Sequence, residues 1–326
     1  MKYHATFLSI PPDFPHWMNT GFFNYMPEGW ERAPAAQAPV IFVIFQGQSD
    51  YVFNEAEFKA LAELRKPVVI LDYYEGRLSA QHQLLIDAIG QLHIFCWFKR
   101  ELRSSFVNDK PYPVYPIDFT HPFYPKPSTI DSREDYNARP IDILMSWGFS
   151  SRSRAELHGL LFHEYTKFAT IPPAALPSDV PIFIEERGRC PLVLLYTPCY
   201  RRHPEAEIFD LQSKAKITVS CYGNGAKCFR NAEAGYNSLI AQMGADQFQW
   251  SYPWIDKHNC IALPNSKDSD FLDCRAAVDI LEYWVRREHG SLYTLYVNSV
   301  LNTRNYLTSA YVRDYILPKL QPLCRT

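Results

Sequence analysis

The sequence predicts an α/β protein built of two doubly wound, Rossmann-like domains. Its 326 residues are more than one ordinary domain contains. Strand-like apolar runs alternate with helix-like periods in both halves, and the seven prolines of residues 108–140 separate the halves. We therefore expect an N-terminal domain, a linker, a C-terminal domain and a final helix, over residues 1–120, 121–138, 139–305 and 306–326 respectively.

The N-terminal half begins with a stretch rich in proline and aromatic residues up to Pro34, which we interpret as irregular or edge structure. Beyond it, the runs PVIFVIF and PVVILD are apolar and rich in β-branched residues, which is typical of strands buried in a parallel sheet. Phe58, Leu61 and Leu64 recur at helical spacing. Strands are predicted over 39–45, 67–72 and 93–97, and helices over 54–65 and 80–89.

The C-terminal half starts with the apolar run IDILMSW, and Ser151 or Ser153 would cap the helix that follows it. In doubly wound sheets, ligands bind beyond the carboxyl ends of the strands, so the loops that follow strands are the places to search for a site. The predicted strands cover 141–147, 182–184, 216–220 and 260–263, and the predicted helices cover 204–213, 229–240, 271–286, 292–300 and 306–320.

The composition excludes several classes of protein. The 33 basic and 35 acidic residues nearly balance, so the chain lacks the electrostatic footprint of a nucleic-acid-binding protein. Its eight cysteines include no C-x-x-C pair, which excludes a zinc ribbon and favours a reducing, cytoplasmic location. No apolar run reaches the roughly 18 residues of a transmembrane helix.

The segment KITVSCYGNGAKCFRNAEAGYNSLI, residues 216–240, contains the main candidate site. A predicted strand is followed by a turn with Gly223 and Gly225, and Lys227 and Arg230 lie where a helix begins. Glycines let the backbone approach a ligand closely, and the amino end of a helix favours negative charge. These residue types in this order predict a site for a diphosphate.

Glu233 lies three residues after Arg230, on the same face of the predicted helix. A carboxylate there could accept hydrogen bonds from both hydroxyls of a ribose, the role that an acidic residue has in dinucleotide sites. The spacing is neither a P-loop nor the complete G-x-G-x-x-G fingerprint. A glycine turn followed by a surface Arg–Glu pair is the alternative interpretation.

The pattern G-x-G-x-x-x-x-R-x-x-E-A over residues 223–234, with a Trp- and Pro-rich loop after it, resembles the donor-site region of GT-B glycosyltransferases. Bacterial, viral and exostosin-like members are the most similar, and the resemblance covers residues 139–326. It implies a GT-B-like fold with two domains facing across a cleft, and a nucleotide-diphosphate sugar as donor. It also implies that Arg230 and Glu233 meet the diphosphate and the ribose. The chain departs from the E-x₇-E signature of these proteins, because the second glutamate, expected eight residues after Glu233, is replaced by Ala241.

A second donor-side loop, Gly148–Arg154, follows the first predicted strand of the C-terminal half and contains Arg152 and Arg154. In GT-B enzymes the equivalent loop faces the cleft, where a guanidinium neutralises the charge that builds on the departing nucleoside diphosphate. A metal is then not required, and no covalently bound cofactor is expected. Asp268-Ser269-Asp270 matches D-x-D, but it precedes a helix and is interpreted as an N-cap.

Candidates for a catalytic base lie in the loops of the N-terminal half. Inverting glycosyl transfer needs a group that takes the proton of the acceptor hydroxyl. Glu75 follows the second predicted strand and Asp50 follows the first, so both would lie on the edge of the sheet where ligands bind. Asp72 is a further candidate, although it would simply end its strand.

These residues and the resemblance together predict a metal-independent glycosyltransferase. Its acceptor would be a glycan, a lipid-linked molecule or a protein. Two alternatives stay open: a non-catalytic sugar- or nucleotide-binding module on the same fold, and a sugar-nucleotide epimerase. Lys99, Arg100 and Arg103 are expected to solvate a helix face, or to meet an anionic acceptor or a lipid phosphate through peripheral membrane contact. The aromatic loop at 248–256 would stack a base, line a sugar site or pack between domains.

Overall fold

A computed structural model of the chain describes most of its residues and divides them into two compact units. The first unit comprises Met1–Phe123, Phe248–Ser251 and Leu307–Thr326, and the second comprises Tyr124–Gln247 and Tyr252–Tyr306. The described residues are 1–8, 23, 25–45, 55–73, 83–107, 110–118, 129–145, 156–157, 160, 182–187, 190–196, 205–221, 229–265, 272–286 and 289–325.

The first unit contains a six-stranded sheet in which every neighbouring pair of strands is parallel. Its strand order is β2-β1-β3-β4-β5-β6. The strands are β1 (Lys2–Leu8), β2 (Glu31–Arg32), β3 (Val40–Phe45), β4 (Val68–Asp72), β5 (Ile94–Lys99) and β6 (Val114–Pro116).

The start of the chain is more regular than its composition predicts. The interpretation of the stretch up to Pro34 as irregular or edge structure is wrong for β1, which pairs with β3 from Tyr3 to Leu8. Only the two-residue β2 lies outside β1 in this sheet. β1 escapes prediction because His4 and Thr6 interrupt its apolar run, so it lacks the continuous pattern of β3 and β4.

Helices of the first unit follow the predicted alternation with its strands. The described helices between its strands are α1 (Glu55–Glu63), α2 (Gln83–Gly90) and α3 (Ser104–Val107). Phe58 and Leu61 of α1 are buried against the sheet, as their spacing predicts. One cluster of the described core of this unit comprises Ile41, Val43, Phe58, Leu61, Val68, Ile70, Ala88, Ile89, Leu92 and Trp97.

The second unit contains another six-stranded sheet, parallel except at one edge. Its strand order is β12-β11-β10-β7-β9-β8, and only the β8–β9 pair is antiparallel among the pairs described. The strands are β7 (Ile141–Met145), β8 (Ile182–Arg187), β9 (Cys190–Tyr196), β10 (Ala215–Ser220), β11 (Leu239–Met243) and β12 (Ile261–Leu263).

Helices of the second unit are α4 (Arg133–Asn137), α5 (Glu205–Ser213), α6 (Phe229–Asn237), α7 (Cys274–Arg286) and α8 (His289–Arg304). The predicted helix over 229–240 ends earlier than expected, because Leu239 begins β11. All five residues of β11 are buried between β10 and β12. The apolar residues Leu239, Ile240 and Ala241 fit the end of a buried helix as well as a central strand, so periodicity did not separate the two.

The end of the chain is helical but interrupted. It comprises α9 (Thr308–Ala310), a π-helix over Tyr311–Ile316, α10 (Leu317–Leu320) and a 3₁₀ helix over Gln321–Arg325, in place of one predicted α-helix. Pro318 has no N–H to donate, and its ring would clash with a carbonyl one turn earlier in a regular α-helix. The helix widens just before this proline. No described helix has the length and apolarity that a membrane crossing requires.

Candidate functional site

The strand order of the second unit defines where a ligand would meet its sheet. After β7 the chain continues to β8 and β9 on one side, whereas after β10 it continues to β11 on the other side. β7 and β10 are neighbours, so the order reverses between them. In open α/β sheets, ligands bind beyond the carboxyl ends of the strands at such a switch point.

The two donor-side loops predicted from the sequence follow these two strands. Arg152 and Arg154 come after β7, and Gly223, Gly225 and Lys227 come after β10. All five residues lie outside the described part of the chain, so their roles stay predictions. The strands that precede these residues in the chain, β7 and β10, flank the switch point.

Helix α6 brings the other two predicted donor residues to the same edge. Arg230 is its second residue and Glu233 its fifth, so both lie on one helix, one turn apart, as predicted. The side chain of Glu233 is half-buried, and that of Arg230 lies outside the described part. The half-buried Tyr236 is on the same helix, and burial raises the pKa of this phenol against the opposing charge of Arg304.

A buried polar network fixes the first turn of α6 to the sheet. The Asn231 side chain is buried, and its Nδ2 donates to Ser220 Oγ at 3.0 Å and to Gln242 Oε1 at 2.7 Å. Ser220 is the last residue of β10, and Gln242 is in β11. Gln242 Nε2 in turn donates to the carbonyl of Met243 at 2.6 Å. Asn231 was not among the predicted residues, because a single polar residue in an amphipathic helix has no periodic signal.

The carboxyl end of α6 is held by a different set of contacts. The hydroxyl of Ser238 donates to the carbonyl of Ala234 at 2.7 Å and is 2.5 Å from Thr218 Oγ1 of β10. The buried guanidinium of Arg139 donates to the carbonyl of Asn237, the last residue of α6, at 2.7 Å. A cation at this position is favourable, because the carboxyl end of a helix has a partial negative charge.

Close packing against α8 also sets the position of α6. A Cβ added at Gly235 would overlap Thr303 Oγ1 and come within 3.2 Å of Trp254 Cη2. Only glycine therefore lets α6 approach α8 this closely. Trp254 belongs to the predicted aromatic loop, where it is buried and stacks on Tyr306 at 5.9 Å between ring centroids. For this tryptophan, ordinary packing is the interpretation that the contacts support.

The first unit has its own switch point, between β1 and β3. The chain leaves β1 toward β2 on one side and leaves β3 toward β4 on the other. Asp50 follows β3 and Glu75 follows β4 in the sequence, so both candidate bases come after strands of this region. Both residues lie outside the described part of the chain, and their catalytic role stays a prediction.

Buried charges occupy the carboxyl edge of the first sheet. Asp72, at the end of β4, is buried and accepts from Trp97 Nε1 at 3.2 Å. Lys99, at the end of β5, is buried too, and its Nζ is 3.3 Å from both carboxylate oxygens of Asp72. The neighbouring guanidinium of Arg100 is buried and donates to the carbonyl of Tyr73 at 3.3 Å.

These contacts correct the sequence prediction for Lys99 and Arg100. Neither residue solvates a helix face, because both lie at the end of β5 with only 3% of their surface exposed. The burial of Lys99 could not be predicted locally, because its partner Asp72 is 27 residues earlier. The pairing of β4 with β5 brings the two side chains together. Arg103 lies 5.0 Å from the ring of Phe248. The contacts of Asp72 with Lys99 and Trp97 make it a structural group of this edge.

A second cluster on this edge joins the sheet to the end of the chain. The carboxylate of Asp118, which follows β6, accepts from the backbone N–H of Ser251 at 2.7 Å. The backbone N–H of Asp118 donates to the hydroxyl of Tyr311 at 3.0 Å, and this hydroxyl also contacts Ser251 Oγ. Burial and the negative charge of Asp118 raise the pKa of Tyr73 and of Tyr311. These phenols are therefore neutral hydrogen-bonding groups at any ordinary pH.

Within the described residues, no group of three or more His, Cys, Asp or Glu side chains is arranged to hold a metal ion. The predicted N-cap at Asp268-Ser269-Asp270 lies outside this part of the chain. The described cap of α7 is Asp273, whose Oδ1 accepts from the backbone N–H of Ala276 at 3.0 Å. Four described cysteines, Cys96, Cys221, Cys260 and Cys274, are buried thiols that form no disulfide.

Comparisons with known proteins identify the fold. No protein-family model matches the sequence, and neither does any curated protein. Among solved structures, the N-terminal domain of trehalose-6-phosphate phosphatase from Candida albicans is 9% identical with a TM-score of 0.53, over 98% of this chain and 96% of that one. An α,α-trehalose 6-phosphate synthase from Burkholderia multivorans is also 9% identical, with a TM-score of 0.49 over 89% of this chain and 72% of that one.

At 9% sequence identity, the first similarity shows a shared fold and nothing more specific. The first similarity and the two Rossmann-like sheets, the second with one antiparallel edge pair, confirm the predicted α/β, GT-B-like fold class. The narrower resemblance to exostosin-like proteins stays a prediction.

Proposed function

We propose that this chain is a glycosyltransferase that takes a sugar from a nucleotide-diphosphate donor and transfers it to a hydroxyl acceptor. The observation that carries the proposal is the position of α6. This helix bears Arg230 and Glu233, and its first turn is bonded to the carboxyl ends of β10 and β11, beside the switch point. This arrangement favours the binding of a diphosphate, because helix amino ends and guanidinium groups both stabilise anions.

In the proposed reaction, the acceptor hydroxyl attacks the anomeric carbon and the bond from that carbon to the diphosphate breaks. Arg230, with Arg152 and Arg154, would neutralise the negative charge that develops on the leaving diphosphate. Glu233 would bind the ribose hydroxyls. For an inverting reaction, Glu75 or Asp50 would take the proton of the acceptor hydroxyl. Cationic side chains supply the charge neutralisation in this scheme, so a metal is not required.

A thermal-shift screen with UDP, GDP, CMP and dTDP sugars tests donor binding. A donor present at about 100 times its Kd stabilises a protein by about 2.7 kcal/mol, which is readily measured. We expect one donor class to raise Tm, and the variant Arg230→Ala to lose that rise. Arg275→Ala is the matched control, because Arg275 is likewise the second residue of a helix in the same unit and is exposed.

Each outcome of the screen separates the candidate functions. A rise in Tm that persists in Arg230→Ala would contradict the proposed diphosphate contact. Donor binding without sugar transfer to any acceptor would favour the non-catalytic module. Conversion of the donor sugar in the absence of an acceptor would favour the epimerase.

A further inference from the structure

We infer that Asn231 is a positioning residue for the donor, and that it acts through the first turn of α6. This inference rests on the proposed function and identifies a residue that holds the donor helix in place. Asn231 directly follows Arg230, is 6% exposed, and donates from Nδ2 to one side chain in each of two neighbouring strands.

The geometry ties the helix to both strands at once. Ser220 Oγ belongs to the last residue of β10, and Gln242 Oε1 belongs to β11, so the two hydrogen bonds fix the first turn in two directions along the sheet edge. Gln242 is itself oriented by its bond to the carbonyl of Met243. Residue 230 lies about 100° from residue 231 around the helix axis. Fixing Asn231 toward the sheet therefore fixes where position 230 stands beside the switch point.

The neutrality of this network matters for an anionic ligand. An aspartate at position 231 would place a buried negative charge beside the proposed diphosphate site and weaken its binding. The asparagine amide supplies the donors without a charge, so the attraction of the helix amino end and its cations is undiminished. The two partners of Asn231, Ser220 and Gln242, are likewise uncharged and buried.

The test compares Asn231→Ala with Ser238→Ala. Ser238 also holds α6 to β10 through buried hydrogen bonds, but it does so at the opposite end of the helix. Both variants lose buried hydrogen bonds, and their loss of stability is measured by urea unfolding. For the nucleoside diphosphate of the donor found in the screen, we expect Kd to rise at least tenfold in Asn231→Ala and less than twofold in Ser238→Ala.

A double-mutant cycle with Arg230→Ala separates positioning from general destabilisation. If Asn231 acts through Arg230, the Asn231→Ala change raises Kd much less when Arg230 is already alanine. Equal effects in both backgrounds would overturn the inference, as would equal Kd values for Asn231→Ala and Ser238→Ala. Failure of the wild-type protein to bind any nucleoside diphosphate would instead overturn the proposed function, so the two failures are distinct.

Discussion

The carboxyl edges of the two sheets are built from different chemistry. In the first unit, the edge is held by buried charges, with Lys99 paired to Asp72 and with Asp118 bonded to Ser251. In the second unit, the edge at α6 is held by the neutral side chains of Asn231 and its partners. Breaking a buried ion pair costs much free energy, because it leaves a buried charge without its partner. A network of neutral side chains adds no net charge near a ligand, so the local electrostatic field is set by the ligand and by the groups that bind it.

This contrast assigns different tasks to the two edges. At the first edge, Lys99 and Asp72 satisfy each other, so the described charges hold neighbouring strands together. At the second edge, the described buried partners of Asn231 add no charge, and the cations predicted from the sequence precede Asn231 or follow β7. The second edge is therefore the better candidate for binding an anion, and variants of each edge should fail in different ways.

The largest expected effect is that of Lys99→Met. The change removes the ammonium group that lies 3.3 Å from both carboxylate oxygens of the buried Asp72, while Trp97 Nε1 still donates to that carboxylate. Removing one partner of a buried pair typically costs about 3–5 kcal/mol. We expect a loss of this size in the free energy of unfolding of the first unit. The double variant Asp72→Asn with Lys99→Met should recover part of it, and a loss below about 1 kcal/mol in the single variant would contradict the assigned role.

Two buried thiols allow the stability of each unit to be measured separately. Burial raises the pKa of Cys96, in β5 of the first unit, to about 12, and it also raises the pKa of Cys260 in the second unit. Thiolates are the reactive form, so both cysteines should react with an alkylating reagent only when their unit opens. Peptide mapping should show faster labelling of Cys96 in Lys99→Met, and unchanged labelling of Cys260.

A smaller effect is expected from Gly235→Ala in the second unit. The added methyl group would overlap Thr303 Oγ1 and push α6 away from α8. Overpacking of this kind typically costs about 1–3 kcal/mol. We expect faster labelling of Cys260, unchanged labelling of Cys96, and weaker binding of the donor diphosphate, because the helix that bears Arg230 moves.

Gly90→Ala is the control for this change. Gly90 ends α2 in the first unit, and a Cβ there would meet no atom within 4 Å. An alanine should be neutral or should stabilise the protein by about 0.5–1 kcal/mol, through the lower entropy of the unfolded chain. If Gly235→Ala were equally harmless, the close approach of α6 to α8 would not set the position of the donor helix.

The predicted parts of the fold are those with a continuous local signal. β3 and β4 follow from apolar runs, and α1 follows from the spacing of Phe58 and Leu61. That β7 and β10 flank one switch point was implied only in general terms, because strand order cannot be derived from local sequence patterns. The structure shows that the two predicted site residues Arg230 and Glu233 lie on one helix.

The parts that sequence did not predict depend on partners distant along the chain. Lys99 is buried because Asp72 neutralises it from a neighbouring strand, and no local pattern contains that information. Asn231 is buried because it meets Ser220 and Gln242, each 11 residues away. β11 has a local pattern, but its apolar run fits a buried helix equally well. In each case the tertiary pairing decides the role, and the pairing follows from the sheet order.

The smallest expected effect concerns a cation at the rim of the first edge. Lys319 of α10 lies over the ring of Tyr315 at 3.5 Å, and the hydroxyl of Tyr315 donates to the carbonyl of Pro116 at the end of β6. Burial lowers the pKa of Lys319 below its ordinary value. Between the folded-state pKa and the ordinary value, the unfolded chain binds more protons than the folded one, so stability rises with pH across this interval.

The variant Lys319→Met removes the titrating group while keeping a side chain of similar length. We therefore expect the stability of the wild-type protein, relative to Lys319→Met, to increase as the pH is raised from 8 toward the ordinary lysine pKa of about 10.4. Urea unfolding of both proteins at several pH values measures this difference. A difference that stays constant with pH would mean that Lys319 is as well solvated in the folded protein as in the unfolded chain. Lys319 would then have the pKa of a lysine on an open surface. The buried pair of Lys99 with Asp72, the buried Arg100 and the contacts of Asp118 would still distinguish the first edge from the second.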